Sequence, residues 1–128
     1  MAHELMFDPD DPTLARVRTL ALALPGAQER ISVGHANFAT KRVFAWYGMS
    51  HKVDGVWRRN PQSVSVLLPP DERLALIERA DVFVPGYIGP SGWLGILLAD
   101  DTDWTEIEEL IEESYRQTAP ARLVAQLG

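Results

Sequence analysis

The sequence predicts an α+β fold, with two layers formed by an antiparallel sheet and by helices packed on one of its faces. Two observations support this prediction. Short connections join successive strand-like segments, which favours antiparallel pairing. Segments with helical periodicity lie before, between and after the strands. Helices of this kind are expected to bury their apolar sides against one face of the antiparallel sheet.

The first predicted helix has clear signals at both ends. Asp11 is a typical N-cap and Pro12 a typical first helical residue. The helical pattern continues to about Ala23, and Pro25-Gly26 ends it. We therefore expect residues 1–11 to be a loose leader and residues 12–128 to be a single domain, which is a suitable size for one core.

Three more helices are predicted. The second begins at Pro69-Pro70-Asp71, and its residues expected to face inward are Leu74, Leu76, Ile77 and Ala80. The third is capped by Asp103, with Glu106 at capping-box spacing, and ends near Tyr115. The last is a short helix from Ala121 to Leu127.

Six strands are predicted from β-branched and aromatic residues bounded by turn residues. They run from Glu29 to Val33, Asn37 to Thr40, Arg42 to Tyr47, Ser63 to Leu68, Phe83 to Pro85 and Trp93 to Leu98. In the fourth of these strands Ser63 and Ser65 alternate with Val64 and Val66. This alternation predicts one wet face and one buried face.

Composition narrows the class of protein. The chain has no cysteine, which excludes disulfides and thiolate metal sites and favours a cytoplasmic location. The apolar run from Leu20 to Leu24 is far shorter than the roughly 20 residues of a membrane span. No catalytic serine motif, phosphate loop or histidine pair at metal spacing is present. We expect a binding protein, not an enzyme, without cofactor, metal or membrane.

The charge argues against strong non-specific binding to nucleic acid. The net charge is −6 and the isoelectric point is near 4.9, whereas such binding normally needs a basic field. The basic residues concentrate in the first half of the chain, at Arg16, Arg18, Arg30, Lys41, Arg42, Lys52, Arg58 and Arg59. We interpret the later acidic cluster, from Asp100 to Glu113, as a solvated helix face.

The segment from Gly48 to Pro61 is either a long hairpin loop or an irregular strand around Val56-Trp57. It contains a candidate nucleic-acid site, which consists of Lys52, Trp57, Arg58 and Arg59. An aromatic ring beside two arginines suits contact with phosphates or bases. The alternative is a loop tryptophan that covers the core, with arginines in solvent.

A second candidate site is a small-ligand pocket. Its four residues are His35, Lys41, Tyr87 and Trp93. The imidazole of His35 follows a glycine at a strand break, where it can act as a base or a ligand, or simply bond to nearby backbone. Trp46, Trp93 and Trp104 are expected to pack in the core, although an aromatic platform for bases is the alternative.

Several short motifs, in their order and spacing, resemble the MmcQ/YjbR family. They are ALALPGAQE (Ala21–Glu29), GHANF (Gly34–Phe38), FVPGYIGPSGW (Phe83–Trp93), ELIEESY (Glu109–Tyr115) and APARL (Ala119–Leu123). The resemblance extends over nearly everything from Leu14 to Leu123. It implies a fold similar to that of type III secretion chaperones and a DNA-binding function through a double-wing arrangement. It supplies no catalytic residues.

Three functions remain open at this point. The first is DNA binding through the basic segment. The second is a protein-interaction adaptor similar to the secretion chaperones, which would need an exposed apolar patch. The third is binding of a small ligand, which would need a concave site where the four pocket candidates converge.

Overall fold

A six-stranded antiparallel sheet forms the centre of the computed structural model, which describes residues 4–127. The strands are β1 (Gln28–Ser32), β2 (His35–Ala39), β3 (Val43–Tyr47), β4 (His51–Val53), β5 (Val56–Arg58), β6 (Ser63–Leu67), β7 (Val82–Phe83) and β8 (Trp93–Leu97). The order in the sheet is β1-β2-β3-β6-β8-β7. The remaining strands, β4 and β5, form a separate two-stranded hairpin.

Helices pack on one face of this sheet. They are α1 (Pro12–Leu22), α2 (Pro70–Leu76), α3 (Trp104–Thr118) and α4 (Ala121–Val124). Helix α3 lies on β3 and β6, and α1 lies beside it on β1 and β2. The α+β prediction is therefore confirmed. Within residues 4–127, no helix has both the length and the apolar character that a membrane crossing requires.

The strand register divides the side chains of the sheet between two faces, because successive side chains of a strand point in opposite directions. One row across four strands points toward the helices and belongs to the core: Phe38, Ala45, Val66 and Leu94. The adjacent row points away from the helices: Asn37, Trp46, Ser65 and Gly95. The second face thus carries polar side chains and a tryptophan, whereas the first is apolar.

The prediction that Ser63 and Ser65 lie on a wet face is wrong, since both are fully buried. The second face is covered by segments outside the helical layer. The ring of Phe83 lies over Gly95, beside Ser65 in the register, and its centroid is 4.9 Å from that of His51 in β4. Part of this face is therefore buried by Phe83 of β7 and by β4 of the hairpin.

The inward orientation predicted for the second helix is also wrong in part. The side chain of Leu74 is 76% exposed and that of Ile77 is 41% exposed. Helix α2 has seven residues, about two turns, and within the described part of the chain only its Leu76 packs against the core cluster. An apolar pattern in so short a helix does not determine which side faces the core.

A buried hydrogen bond joins the start of α1 to the sheet. The Tyr47 hydroxyl donates to Oδ2 of Asp11 at 2.6 Å, and Oδ1 of Asp11 caps the helix by accepting from the backbone N–H of Thr13 at 2.9 Å. Burial acts to raise the pKa of Asp11, but the hydrogen bonds from Tyr47, Thr13 and Gln62 outweigh it. The pKa of this carboxyl therefore lies below its ordinary value.

Replacing Tyr47 with phenylalanine should lower the free energy of unfolding by about 1–3 kcal/mol at pH 7, because a buried carboxylate loses a charge-assisted hydrogen bond. The depressed pKa of Asp11 stabilises the fold above the ordinary value of 3.8, and this contribution is lost as the pH falls through the folded-state value. The difference in the free energy of unfolding between the variant and the wild type should therefore be smaller near pH 3 than at pH 7.

Urea denaturation at the two pH values measures this difference. Tyr87→Phe is the matched control, since its ring is 87% exposed, and it should change the stability by less than about 0.5 kcal/mol. An equal loss of unfolding free energy in Tyr47→Phe at both pH values would contradict the proposed role of the Asp11 carboxylate.

Candidate ligand-binding pocket

The β4–β5 hairpin leaves the sheet because β3 pairs directly with β6. The backbone N–H of Gly48 donates to the Ser63 carbonyl at 2.9 Å and completes this pairing, with Gly48 at a φ of 73°. The hairpin turn is Asp54-Gly55, in which both residues have positive φ, as in a type I′ turn. The segment left open between a loop and an irregular strand is thus a regular hairpin.

The hairpin lies against the segment that follows β7. The backbone N–H of Gly86 donates to the Ser50 carbonyl at 2.9 Å. The rings of Trp57 and Tyr87 stack with centroids 5.4 Å apart and an interplanar angle of 24°. A Cβ at Gly86 would lie 2.6 Å from Cζ3 of Trp57, so the close approach of the indole requires glycine there.

The segment before α1 provides a third side. The backbone N–H of Met6 donates to the Gly34 carbonyl at 2.8 Å, and Nη2 of Arg59 donates to the Met6 carbonyl at 3.2 Å. The first bond holds Met6 against the turn between β1 and β2, and the second links it to the end of the hairpin.

These three segments and the second face of the sheet line an open pocket of about 700 Å³, called the hairpin pocket below. Its aromatic lining is formed by Trp46, Trp57 and Tyr87, and Met6 and Met49 add thioethers. Its polar lining is limited to His35, Ser50 and Arg59. The volume and the mainly apolar lining with few polar groups are typical of small-molecule sites.

His35 lines the hairpin pocket and retains one ring nitrogen that can accept a hydrogen bond. Its Nδ1 lies 3.2 Å from the Tyr47 carbonyl, so Nδ1 carries the proton and donates, which leaves Nε2 as an acceptor. Burial lowers the pKa of His35, the hydrogen bond to Tyr47 acts in the opposite direction, and the positive charge of Arg59 lowers the pKa again. The net shift is downward, and the ring is neutral near pH 7.

Two residues of the pocket wall have a strained backbone. Val33 and Tyr87 have φ values of 47° and 63°, a left-handed conformation that costs free energy for side chains with a Cβ, and most for a β-branched one. Strain of this kind clusters at functional sites. It places both side chains at the mouth of the pocket, where they are largely exposed.

The hairpin pocket combines residues from both candidate sites. His35 and Tyr87 were predicted for a small-ligand pocket, and Trp57 and Arg59 for a nucleic-acid site. Lys52 is adjacent, with its Nζ 5.6 Å from the centre of the Trp57 ring. Arg58 is exposed and does not line the pocket.

The other two predicted pocket residues lie elsewhere. Lys41 is exposed in the turn between β2 and β3. Trp93 is buried and lines a separate depression beside α2, together with Leu74 and Ile77. The prediction that Lys41 and Trp93 converge with His35 is therefore corrected: neither the turn nor the start of β8 reaches the second face near His35.

Sequence reasoning missed three important lining residues. Trp46 was expected in the core, but it is only partly buried and lines the pocket. The alternation in strand β3 contained the signal, since Trp46 must point away from the face that Ala45 and Tyr47 occupy. Met6 and Val33 carried no signal, because their positions depend on contacts with distant segments.

Comparison with known proteins assigns the family. The family model described as YjbR matches residues 22–117, more than half of the chain. The chain belongs to the YjbR family. This confirms the resemblance seen in the sequence, and the match includes every pocket residue named above except Met6. No curated protein matches this YjbR-family chain at a significant level.

The His35 ring should titrate below its ordinary value of 6.5, and Arg59→Gln should raise the midpoint because a nearby positive charge is removed. An NMR titration of the Cε1 proton of His35 measures both effects. Arg58→Gln is the matched control, since Arg58 does not line the pocket. A midpoint at or above 6.5, or equal shifts in the two variants, would contradict this geometry.

Proposed function

We propose that this YjbR-family protein binds a small planar ligand with a negatively charged group in the hairpin pocket. The observation that carries the proposal is the convergence of three aromatic side chains and one guanidinium on a single apolar pocket of about 700 Å³. The ligand would lie with its ring against the aromatic side chains and its anionic group toward Arg59.

The aromatic lining favours a flat ring. Trp46 belongs to the sheet, whereas Trp57 and Tyr87 belong to the hairpin and to the opposite segment. Aromatic rings gain from offset stacking or edge contacts in addition to the burial of apolar area. The side chains of Met6 and Met49 are flexible and polarisable, and they can adapt to the edge of a bound ring.

The charge of the pocket favours an anionic group. Arg59 is the one charged side chain among the described residues that line the pocket, since His35 is neutral near pH 7. The bond to the Met6 carbonyl uses one N–H of Arg59, and a guanidinium has five. The remaining donors can bind a carboxylate, sulfonate or phosphate.

The dye 1-anilinonaphthalene-8-sulfonate, an aromatic anion, is a suitable probe. Its fluorescence should rise on binding to the native wild type. We expect Arg59→Gln to weaken binding about tenfold, because a charged hydrogen bond is lost, whereas Arg58→Gln should leave the Kd unchanged. Far-ultraviolet circular dichroism must show that both variants remain folded.

Equal weakening by Arg58→Gln and Arg59→Gln would show that the dye responds to overall surface charge. No binding to the wild type at millimolar dye would remove the support for a ligand pocket. Either result would contradict the proposed function.

A second candidate function is DNA binding through the β4–β5 hairpin, which also follows from the family resemblance. The observation that favours it is that Lys52 and Arg58 lie on the hairpin and Arg59 directly follows it, with the exposed Trp57 between them in sequence. The net charge of −6 argues against a strong interaction. We also propose that the protein is cytoplasmic, because a chain without cysteine is compatible with a reducing compartment.

The same two variants discriminate between the candidates. DNA binding predicts that Arg58→Gln and Arg59→Gln each weaken affinity for a fluorescent oligonucleotide at low salt by a similar factor, because both neutralise phosphates. Fluorescence anisotropy measures the affinity. No change in anisotropy with the wild type at low salt would eliminate this candidate.

A further inference from the structure

Two fully buried polar side chains lie beside Trp46 on the face of the sheet that carries the hairpin pocket. Asn37 of β2 and Ser65 of β6 are the register partners of Trp46 on either side. Both are completely excluded from solvent. Among residues 4–127, no hydrogen-bond partner is found for the Asn37 side-chain oxygen or nitrogen, nor for the Ser65 hydroxyl.

Such a pair is unusual, because most buried polar side chains in native proteins are hydrogen-bonded and an unpartnered one costs free energy. A leucine at position 37 would fill a similar volume without this cost. Local violations of this kind are expected at functional sites. The other unpartnered side-chain atoms within residues 4–127 belong to Thr40 and Arg73, and neither residue is paired in the sheet with a residue that lines the hairpin pocket.

The strand geometry places Asn37 close to the pocket. Directly opposed residues in an antiparallel pair have Cβ atoms about 4.5–5.5 Å apart, so Asn37 adjoins Trp46, and the partly buried Trp46 side chain lines the pocket. His35 is two residues from Asn37 on the same strand and the same face, about 7 Å away. Asn37 and Ser65 do not line the pocket themselves, and Trp46, which does, lies between them in the sheet.

We propose that the Trp46 indole shifts when the ligand binds. The Asn37 amide then forms two hydrogen bonds with an adjacent donor and acceptor on the edge of the ligand ring. An amide side chain offers one N–H donor and one C=O acceptor side by side. Its complement is a planar heteroaromatic ring with an adjacent N–H and C=O, that is, a cyclic amide. The inference rests on the proposed function and names the ligand class of that site.

His35 and Ser65 extend the same polar row. Nε2 of His35 can accept a hydrogen bond, and the Ser65 hydroxyl can donate or accept one. A site that contains buried hydrogen-bonding groups rejects an analogue that leaves them unpaired far more strongly than an apolar pocket rejects a small change in size. Asn37 is thus a specificity-determining residue for this pocket.

Two bicyclic compounds of nearly equal shape test the inference. Quinolin-2-one has the adjacent N–H and C=O, and quinoline lacks both. Isothermal titration calorimetry with the wild type should show a preference of at least about tenfold for quinolin-2-one. Asn37→Leu should abolish this preference without weakening quinoline, and it should raise the Tm because an unpartnered buried amide is removed.

Thr40→Val is the matched control, since it removes another buried unpartnered polar atom far from the pocket. It should raise the Tm and leave the preference unchanged. If Asn37→Leu does not fold, Asn37→Ser, which is smaller and lacks the amide, should also lose the preference.

The outcomes separate the two proposals. The inference is overturned if the wild type binds the anionic dye but shows no preference for quinolin-2-one, or binds neither bicycle. It is also overturned if an Asn37 variant keeps the preference. In each of these cases the pocket proposal stands. If neither the dye nor either bicycle binds, the proposed function fails, and this inference fails with it.

Discussion

The direct pairing of β3 with β6 is the constraint on which the rest of the structure depends. These strands are separated by fifteen residues, 48–62, which cannot remain in the sheet once Gly48 has bonded to Ser63. The excluded chain therefore folds back on itself as the β4–β5 hairpin and lies against residues 84–88 on the face without helices. The hairpin pocket is a consequence of this pairing, since one of its walls is the excluded chain.

The same register gives the two faces of the sheet different chemistry. Ala45 points into the apolar core under α3, whereas its neighbour Trp46 points toward the hairpin. Helix packing stabilises the first face by apolar burial. On the second face, Asn37 and Ser65 are buried without partners, which opposes stability. One face of the sheet thus contributes apolar burial, and the other carries buried polar groups and the hairpin pocket.

Local signals predicted most of the fold and part of the site. Asp11-Pro12 marked the start of α1 correctly, and the β-branched segments identified the six sheet strands to within two residues at every end. The pairing of β3 with β6 could not be predicted, because it depends on long-range contacts. Trp57 and Arg59 were selected as a basic aromatic pair, but their meeting with His35 and Tyr87 depends on the position of the hairpin. The positions of Lys41 and Trp93 outside the pocket also depend on long-range contacts.

The central claim is that one pocket, formed under the hairpin, binds the ligand, and the four tryptophans of the chain allow a direct test. Two of them, Trp46 and Trp57, line the pocket, whereas Trp93 and Trp104 lie outside it. A ¹⁵N–¹H correlation spectrum resolves one indole N–H signal for each tryptophan during titration with 1-anilinonaphthalene-8-sulfonate. Shifts of the Trp46 and Trp57 signals alone are predicted. Shifts of Trp93 or Trp104 instead, or no shift at all, would contradict the account.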